Sequence, residues 1–228
     1  NSWGVVACNK AIYNGGVICD LFSGSSSLSG ALGACYPFLT NDIQHYSSLI
    51  ASVYLKPINN IDTDSFIQDA ADYYKKAREK ITTEIDYEGF RSLNEFNKIE
   101  ERNRALINQN FRHHYHLFVK NYSGTWWSAE QCLWIDAIKQ AIDKRVKNGE
   151  FKQAEYALTM STLLHAMAYS SQGTGHYAQY RDAKTKSSML DINIYRQKKL
   201  QDLFINKLDQ IIAWSQKNVI DLNHKITT

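Results

Sequence analysis

Asp20-Leu21-Phe22-Ser23-Gly24-Ser25-Ser26-Ser27 is the stretch best suited to hold a ligand. It continues a short apolar, β-prone run, Val17-Ile18-Cys19-Asp20-Leu21-Phe22, and leads into an apolar, helix-like stretch from Leu28 to Cys35. A glycine between a strand and a helix permits a tight turn and lets a ligand approach the backbone, while the helix start offers free amides. A second short strand, Pro37-Phe38-Leu39-Thr40, is closed by Asn41-Asp42. A carboxylate at that point is placed to accept hydrogen bonds from both ribose hydroxyls of a nucleoside ligand. The plainer reading of the same residues is an ordinary strand-to-helix turn in which Asp42 caps the next helix.

Three further groups carry chemically able side chains. Thr174-Gly175-His176-Tyr177 is a polar, glycine-bearing loop followed by Arg181, Lys184 and Lys186. Loops of this kind often carry phosphate and base-edge contacts, so these seven residues are the candidate nucleic-acid contacts, against a plain surface turn. Arg112-His113-His114-Tyr115-His116 has the look of a metal cluster, but no carboxylate completes it, and a helix would point its histidines in different directions. Trp126, Trp127 and Trp134 are read as core in preference to base-stacking side chains.

The elements that must position these residues fall into two regimes. Residues 16–55 read as α/β: strand, glycine turn, helix, strand, acid, then a helix from Ile43 to Leu55. That order is the first half of a nucleotide-binding sheet. Beyond Pro57 the pattern is helical. Asp62 or Thr63 can cap a helix running to about Ile81, and a charged helix spans Tyr87 to Asn108. Ser128-Ala129-Glu130-Gln131 is a capping box, with Leu133, Ala137, Ile138, Ala141 and Ile142 forming one apolar face behind it. Helices are expected from Ala154 to Ser171 and from Ile192 to Lys217, and His224-Lys225-Ile226-Thr227-Thr228 resembles the start of a strand. The expected organisation is an α/β core over residues 1–56, a mostly helical insert over 57–217, and a return to the core over 218–228.

The wording of these motifs adds a family. Asp-Leu-Phe-Ser-Gly-Ser (Asp20 to Ser25) followed by Asn41-Asp42-Ile43-Gln44-x-Tyr46-Ser47 resembles the S-adenosylmethionine-binding motifs of class D12 N6-adenine DNA methyltransferases. Tyr122-Ser123-Gly124-Thr125-Trp126-Trp127-Ser128 with Gln131 and Ile135-Asp136-Ala137-Ile138 resembles the family's Gly-Thr-Tyr-Phe-Ser…Gln…Ile-Asp segment. Thr174 to Tyr180 resembles another segment of the same enzymes, so the likeness runs in order along nearly the whole chain. It implies an incomplete Rossmann-like methyltransferase core with a large, mostly helical target-recognition insert. Asp20, Leu21, Phe22, Ser23, Gly24 and Ser25 would line the cofactor, Asp42 would grip its ribose and Ile43 would pack on adenine. Duplex DNA would be the substrate, in the cytoplasm at a prokaryotic nucleoid.

Three departures qualify the likeness. Ser26 stands where many members have a second glycine. The Gly/Lys-bearing motif that opens the family has no counterpart here. The Asp/Asn-Pro-Pro-Tyr/Phe tetrapeptide that holds the flipped adenine is absent, since neither Pro37 nor Pro57 is followed by another proline. The expectation is therefore a subunit that binds cofactor and DNA while a partner methyltransferase subunit carries the Pro-Pro-Tyr motif. A non-catalytic, degenerate methyltransferase that binds DNA or protein, and an RNA methyltransferase, are the other readings.

Composition excludes some classes outright. With 44% hydrophobic residues the chain can pack a core, and two prolines and eleven glycines among 228 residues favour helices. No run of 18 apolar residues exists, so no membrane span is expected. The net charge of +3 is compatible with nucleic acid without demanding it. Cys8, Cys19, Cys35 and Cys132 lack CxxC or metal-ligand spacing and read as reduced, mostly buried thiols.

Overall fold

A computed structural model describes residues 15–58, 61–111, 113–173 and 179–228. Along the chain run β1 (Ile18–Asp20), α1 (Ser27–Leu32), β2 (Phe38–Asn41), α2 (His45–Leu55), α3 (Thr63–Arg78) and α4 (Leu93–Ala105). They are followed by α5 (Leu117–Tyr122), α6 (Ala129–Lys147), α7 (Gln153–Ser170), α8 (Lys186–Arg196), α9 (Leu200–Asn218) and β3 (Lys225–Thr227). By their contacts these elements form two compact units. One holds residues 1–61, 146–162 and 207–228, the other 62–145 and 163–206.

The first unit is mixed α/β, as its sequence pattern implies. Its sheet has the order β1-β2-β3 and every pairing is parallel, with Ile18 opposite Phe38 and Leu39 opposite Lys225. Parallel neighbours need a crossover, and α1 supplies the one between β1 and β2. Leu32, Phe38 and Leu55 form its buried centre, with Ile18, Tyr36, Tyr54 and Ile226 packed around them. β3 is tied to β2 by more than its ladder. His224 Nδ1 accepts the Phe38 N–H at 3.1 Å, and Thr227 Oγ1 donates to Thr40 O at 3.1 Å. The Lys56–Asp221 ion pair holds the same return at the surface. Among the described residues, β1 has a paired neighbour on one side only.

Ser26 is the one residue of the turn between β1 and α1 whose backbone conflicts with its side chain. It adopts φ 55°, ψ 28°, the left-handed region, where a Cβ crowds the chain. Its hydroxyl is also buried without a hydrogen-bond partner. Glycine relieves both. Ser26→Gly should raise stability by about 1 kcal/mol and the thermal midpoint by a few degrees, read by circular dichroism. A midpoint at or below the parent's would show that serine fits here without strain.

The second unit is helical. Asp62 caps α3 by accepting Ser65 N–H, and the Ser128/Gln131 box forms as the sequence implies: Gln131 N–H donates to Ser128 Oγ at 3.2 Å and Ser128 N–H to Gln131 Oε1 at 3.0 Å. Two helical expectations change. The helix expected from Tyr87 begins only at Leu93, where Ser92 caps it, after Gly89 turns the chain at φ 71°. The single helix expected from Ile192 to Lys217 is two helices, broken at Gln197-Lys198-Lys199. The cause lies far away in sequence. Gln131 Nε2 donates to Tyr195 O at 2.8 Å and to Lys198 O at 2.9 Å, taking up carbonyls that helix continuation would have used.

At the middle of this unit lies a buried ion pair. Arg196 Nε and Nη2 donate to Glu100 Oε1 and Oε2 at 2.8 and 2.9 Å, with both side chains at least 95% covered. Tyr87 Oη adds a third bond to Glu100 at 2.6 Å. Arg104 extends the network outward, donating to Gly124 O at 2.7 Å and to Asp182 at 2.6 Å. Gly124 itself has φ 65°, and a Cβ there would lie 2.9 Å from the Glu100 carbonyl oxygen. Only glycine allows the 123–127 turn to sit this close to α4.

Candidate ligand site at the carboxyl ends of the strands

The chain leaves β1 at Asp20 and turns through Leu21 to Ser26 before entering α1. This turn is stitched to the segment that leaves β2. Ser23 N–H donates to Asn41 O at 3.1 Å, and Asn41 Nδ2 reaches Leu21 O at 3.4 Å. Gly24, at φ 49°, donates its N–H to Asp42 Oδ2 at 2.8 Å. The other carboxylate oxygen, Oδ1, accepts Gln44 N–H at 2.9 Å. The hydrogen bonds from Gln44 and Gly24 hold the Asp42 carboxyl below its ordinary range, so it is an anion at neutral pH. Asp42 thus latches the glycine turn and closes the turn into α2. It is more than a helix cap, and each of its oxygens keeps a lone pair.

Two large apolar side chains stand open beside this latch. Ile43 is 96% and Phe22 89% exposed. Leu21 is also exposed, Ser23 is buried and Ser25 is exposed, its hydroxyl paired with that of Ser27. The residues read from the sequence as one site, Asp20 to Ser25 with Asp42 and Ile43, therefore meet at the carboxyl ends of two adjacent parallel strands. Crevices at that end of an open parallel sheet are where such folds take ligands.

The candidate nucleic-acid residues divide differently. Thr174, Gly175, His176 and Tyr177 lie outside the described residues. Arg181 pairs with Asp191, while Lys184 and Lys186 are exposed at the start of α8, whose cap Thr185 accepts Ser188 N–H. The sequence reading missed the network of Glu100, Arg196, Tyr87 and Arg104. Neither Arg196 nor Glu100 carries a local signal of the pairing, since the two lie 96 positions apart.

The histidine cluster and the cysteines also differ from expectation. His113 and His116 are brought together, ring centroids 4.7 Å apart, because the chain here is turn and not helix. Burial, with His113 alongside, pushes the His116 imidazole down to about 4, so it is neutral at pH 7. Among the described residues no group of three His, Cys, Asp or Glu side chains is arranged to hold a metal ion. Among the described residues Cys19 and Cys35 are exposed and Cys132 is buried, which corrects the expectation of mostly buried thiols for these three; Cys8 lies outside the described residues. Cys19 is the middle residue of the outer strand β1 and Cys35 lies in the turn before β2, where a three-stranded sheet gives too little cover to enclose them.

Trp127 and Trp134 are core, as expected, the latter stacked on Tyr74 at 4.4 Å. Beside Trp134 lies a cleft of about 190 Å³ lined by Tyr87, Glu130, Gln131 and Lys198 among others. It is smaller than the ~300 Å³ at which small-molecule sites begin, and two of its central polar side chains, Glu130 and Gln131, are already partnered. Tyr74 Oη donates to Glu130 at 2.6 Å, and Gln131 is spent on the end of α8. Among the described residues no helix is long and apolar enough to cross a membrane. No protein family, curated protein or solved structure matches this chain.

Proposed function

We propose that this chain supplies S-adenosylmethionine binding and DNA target recognition to a site-specific adenine-N6 DNA methyltransferase. The observation that carries the reading is the Gly24–Asp42 latch at the carboxyl ends of β1 and β2, with Phe22 and Ile43 exposed beside it. The residues suit the cofactor. Asp42 is an anion with acceptor capacity left for two ribose hydroxyls, Phe22 and Ile43 offer apolar area for an adenine ring, and Gly24 lets the methionine end approach the backbone. When bound, S-adenosylmethionine supplies an electrophilic methyl group on its sulfonium. The chain's own part is to bind and orient it. The ordered likeness of the downstream segments to N6-adenine methyltransferases supports the same reading, as do the exposed Lys184 and Lys186 for DNA.

The Asp/Asn-Pro-Pro-Tyr tetrapeptide is not among these 228 residues. In this proposal it lies on a partner subunit whose strands extend the sheet from β1. The edge of β1, unpaired among the described residues and with Val17, Leu21 and Phe22 exposed, is a surface that such an addition covers, through an interface beyond roughly 2,000 Å². The test is to purify the chain with and without a partner bearing the tetrapeptide. Calorimetry with S-adenosylmethionine and transfer of labelled methyl into duplex DNA or RNA are then measured. The expected result is cofactor-dependent methylation of duplex DNA by the complex and none by the chain alone. No cofactor binding in either preparation overturns the reading, and preference for RNA replaces its substrate.

A further inference from the structure

Several cations of the second unit flank α8, Lys184 and Lys186 at its start and Lys198 and Lys199 just after its end. Two of the three carboxylates between 163 and 206 are taken internally, Asp182 by Arg104 and Asp191 by Arg181. Lys184, Lys186, Lys198 and Lys199 make no ion pair among the described residues. Unpaired lysines attract a polyanion, with Lys184 and Lys186 exposed at the start of α8, while Lys198 and Lys199 share a cleft with Asp86, Glu88 and Glu130.

An aromatic platform is built into the same region. At the end of α7 the Tyr169 side chain stands 59% exposed, with the His165 ring stacked against it, centroids 4.3 Å apart and planes 29° apart. Lys198 is fastened to this platform. Its Nζ donates to Tyr169 O at 2.7 Å and lies 4.1 Å from the centroid of the Tyr195 ring. Held by one carbonyl and one ring face, the ammonium keeps two N–H donors pointing to no partner among the described residues, and much of its rotamer freedom is already gone. A cation held at the backbone of a residue whose ring is exposed can take a phosphate while the ring meets the adjoining sugar or base of a nucleic acid. An acidic peptide would satisfy the lysines, but it does not set a ring beside its charge at every repeat as a nucleic acid does.

We propose that Tyr169 and Lys198 form a DNA contact separate from the 174–186 loop, the tyrosine ring stacking on a base or deoxyribose and the lysine binding the neighbouring phosphate. This rests on the reading of the chain as a DNA-recognition subunit. The full chain is titrated against a fluorescein-labelled duplex of mixed sequence, by anisotropy, over a series of salt concentrations. Tyr169→Ala should weaken binding roughly fivefold or more with the salt slope unchanged, because stacking releases no counterions. Tyr169→Phe should bind as the parent does. Lys198→Gln should reduce the slope of log K against log salt by about 0.9, the signature of one lost phosphate contact. Thermal melts matching the parent's establish that the variants are folded, and Lys198→Gln tests the contact even where Tyr169→Ala is not. If Lys184→Glu and Lys186→Glu weaken binding while Tyr169→Ala and Lys198→Gln do not, this contact is overturned and the DNA reading stands. If the parent binds no duplex at all, both fall.

Discussion

Asp42→Ala should weaken S-adenosylmethionine binding by roughly a hundredfold or more, measured by calorimetry on the assembled protein, since charge-assisted hydrogen bonds are the strong ones and several are lost together. The geometry explains why the effect exceeds that of a lost ribose contact. The same carboxylate accepts the Gly24 and Gln44 amides, so its removal frees the glycine turn from β2 as well as removing the acceptor. Asp42→Asn separates the two roles. It keeps one amide acceptor and loses the charge, and roughly a tenfold loss is expected. Unchanged affinity in Asp42→Ala would leave the carboxylate a local latch with no part in ligand binding.

Removing one partner of the buried ion pair should have the largest effect on stability. Arg196→Met leaves Glu100 charged in a core where Tyr87 is its main remaining donor, and Glu100→Ala strands the Arg196 guanidinium. Either change should destabilise the second unit by about 3–5 kcal/mol, read from urea unfolding followed by circular dichroism. The pair also explains why the damage should spread. Arg196 donates to Thr125 O as well, and Arg104 joins Glu100 to Gly124 and Asp182, so the 123–127 turn and the segment after Tyr180 lose a shared support. The double variant Glu100→Leu/Arg196→Met, which leaves no orphan charge, should recover most of the loss. A double variant as unstable as the worse single one would show that the network's hydrogen bonds to backbone matter more than the pair.

Local signals in the chain were enough for much that depends on neighbours in sequence, though the Gly89 turn and Ser92 cap that start α4 at Leu93 were passed over. The β-prone runs at Val17 and Phe38, the glycine turn, the Asp62 cap and the Ser128/Gln131 box all appear at or close to the expected positions, because periodicity, turn chemistry and capping act within a few residues. The grouping of Asp20 to Ser25 with Asp42 was legible for the same reason: parallel strands joined by one helix bring their carboxyl ends together. Tertiary structure decided the rest. Gln131 ends α8 from more than sixty positions away, so the periodicity from Ile192 to Lys217 carried no sign of the break. Arg196 and Glu100 bear no local sign of burial, which comes only when folding sets each against the other, and Gly124 needed its conformation only once α4 lay beside it. Hydrophobic spacing records which face of an element is buried. It does not record which distant side chain will meet that face, and that contact is what turns a cation into a core residue and a helix into two.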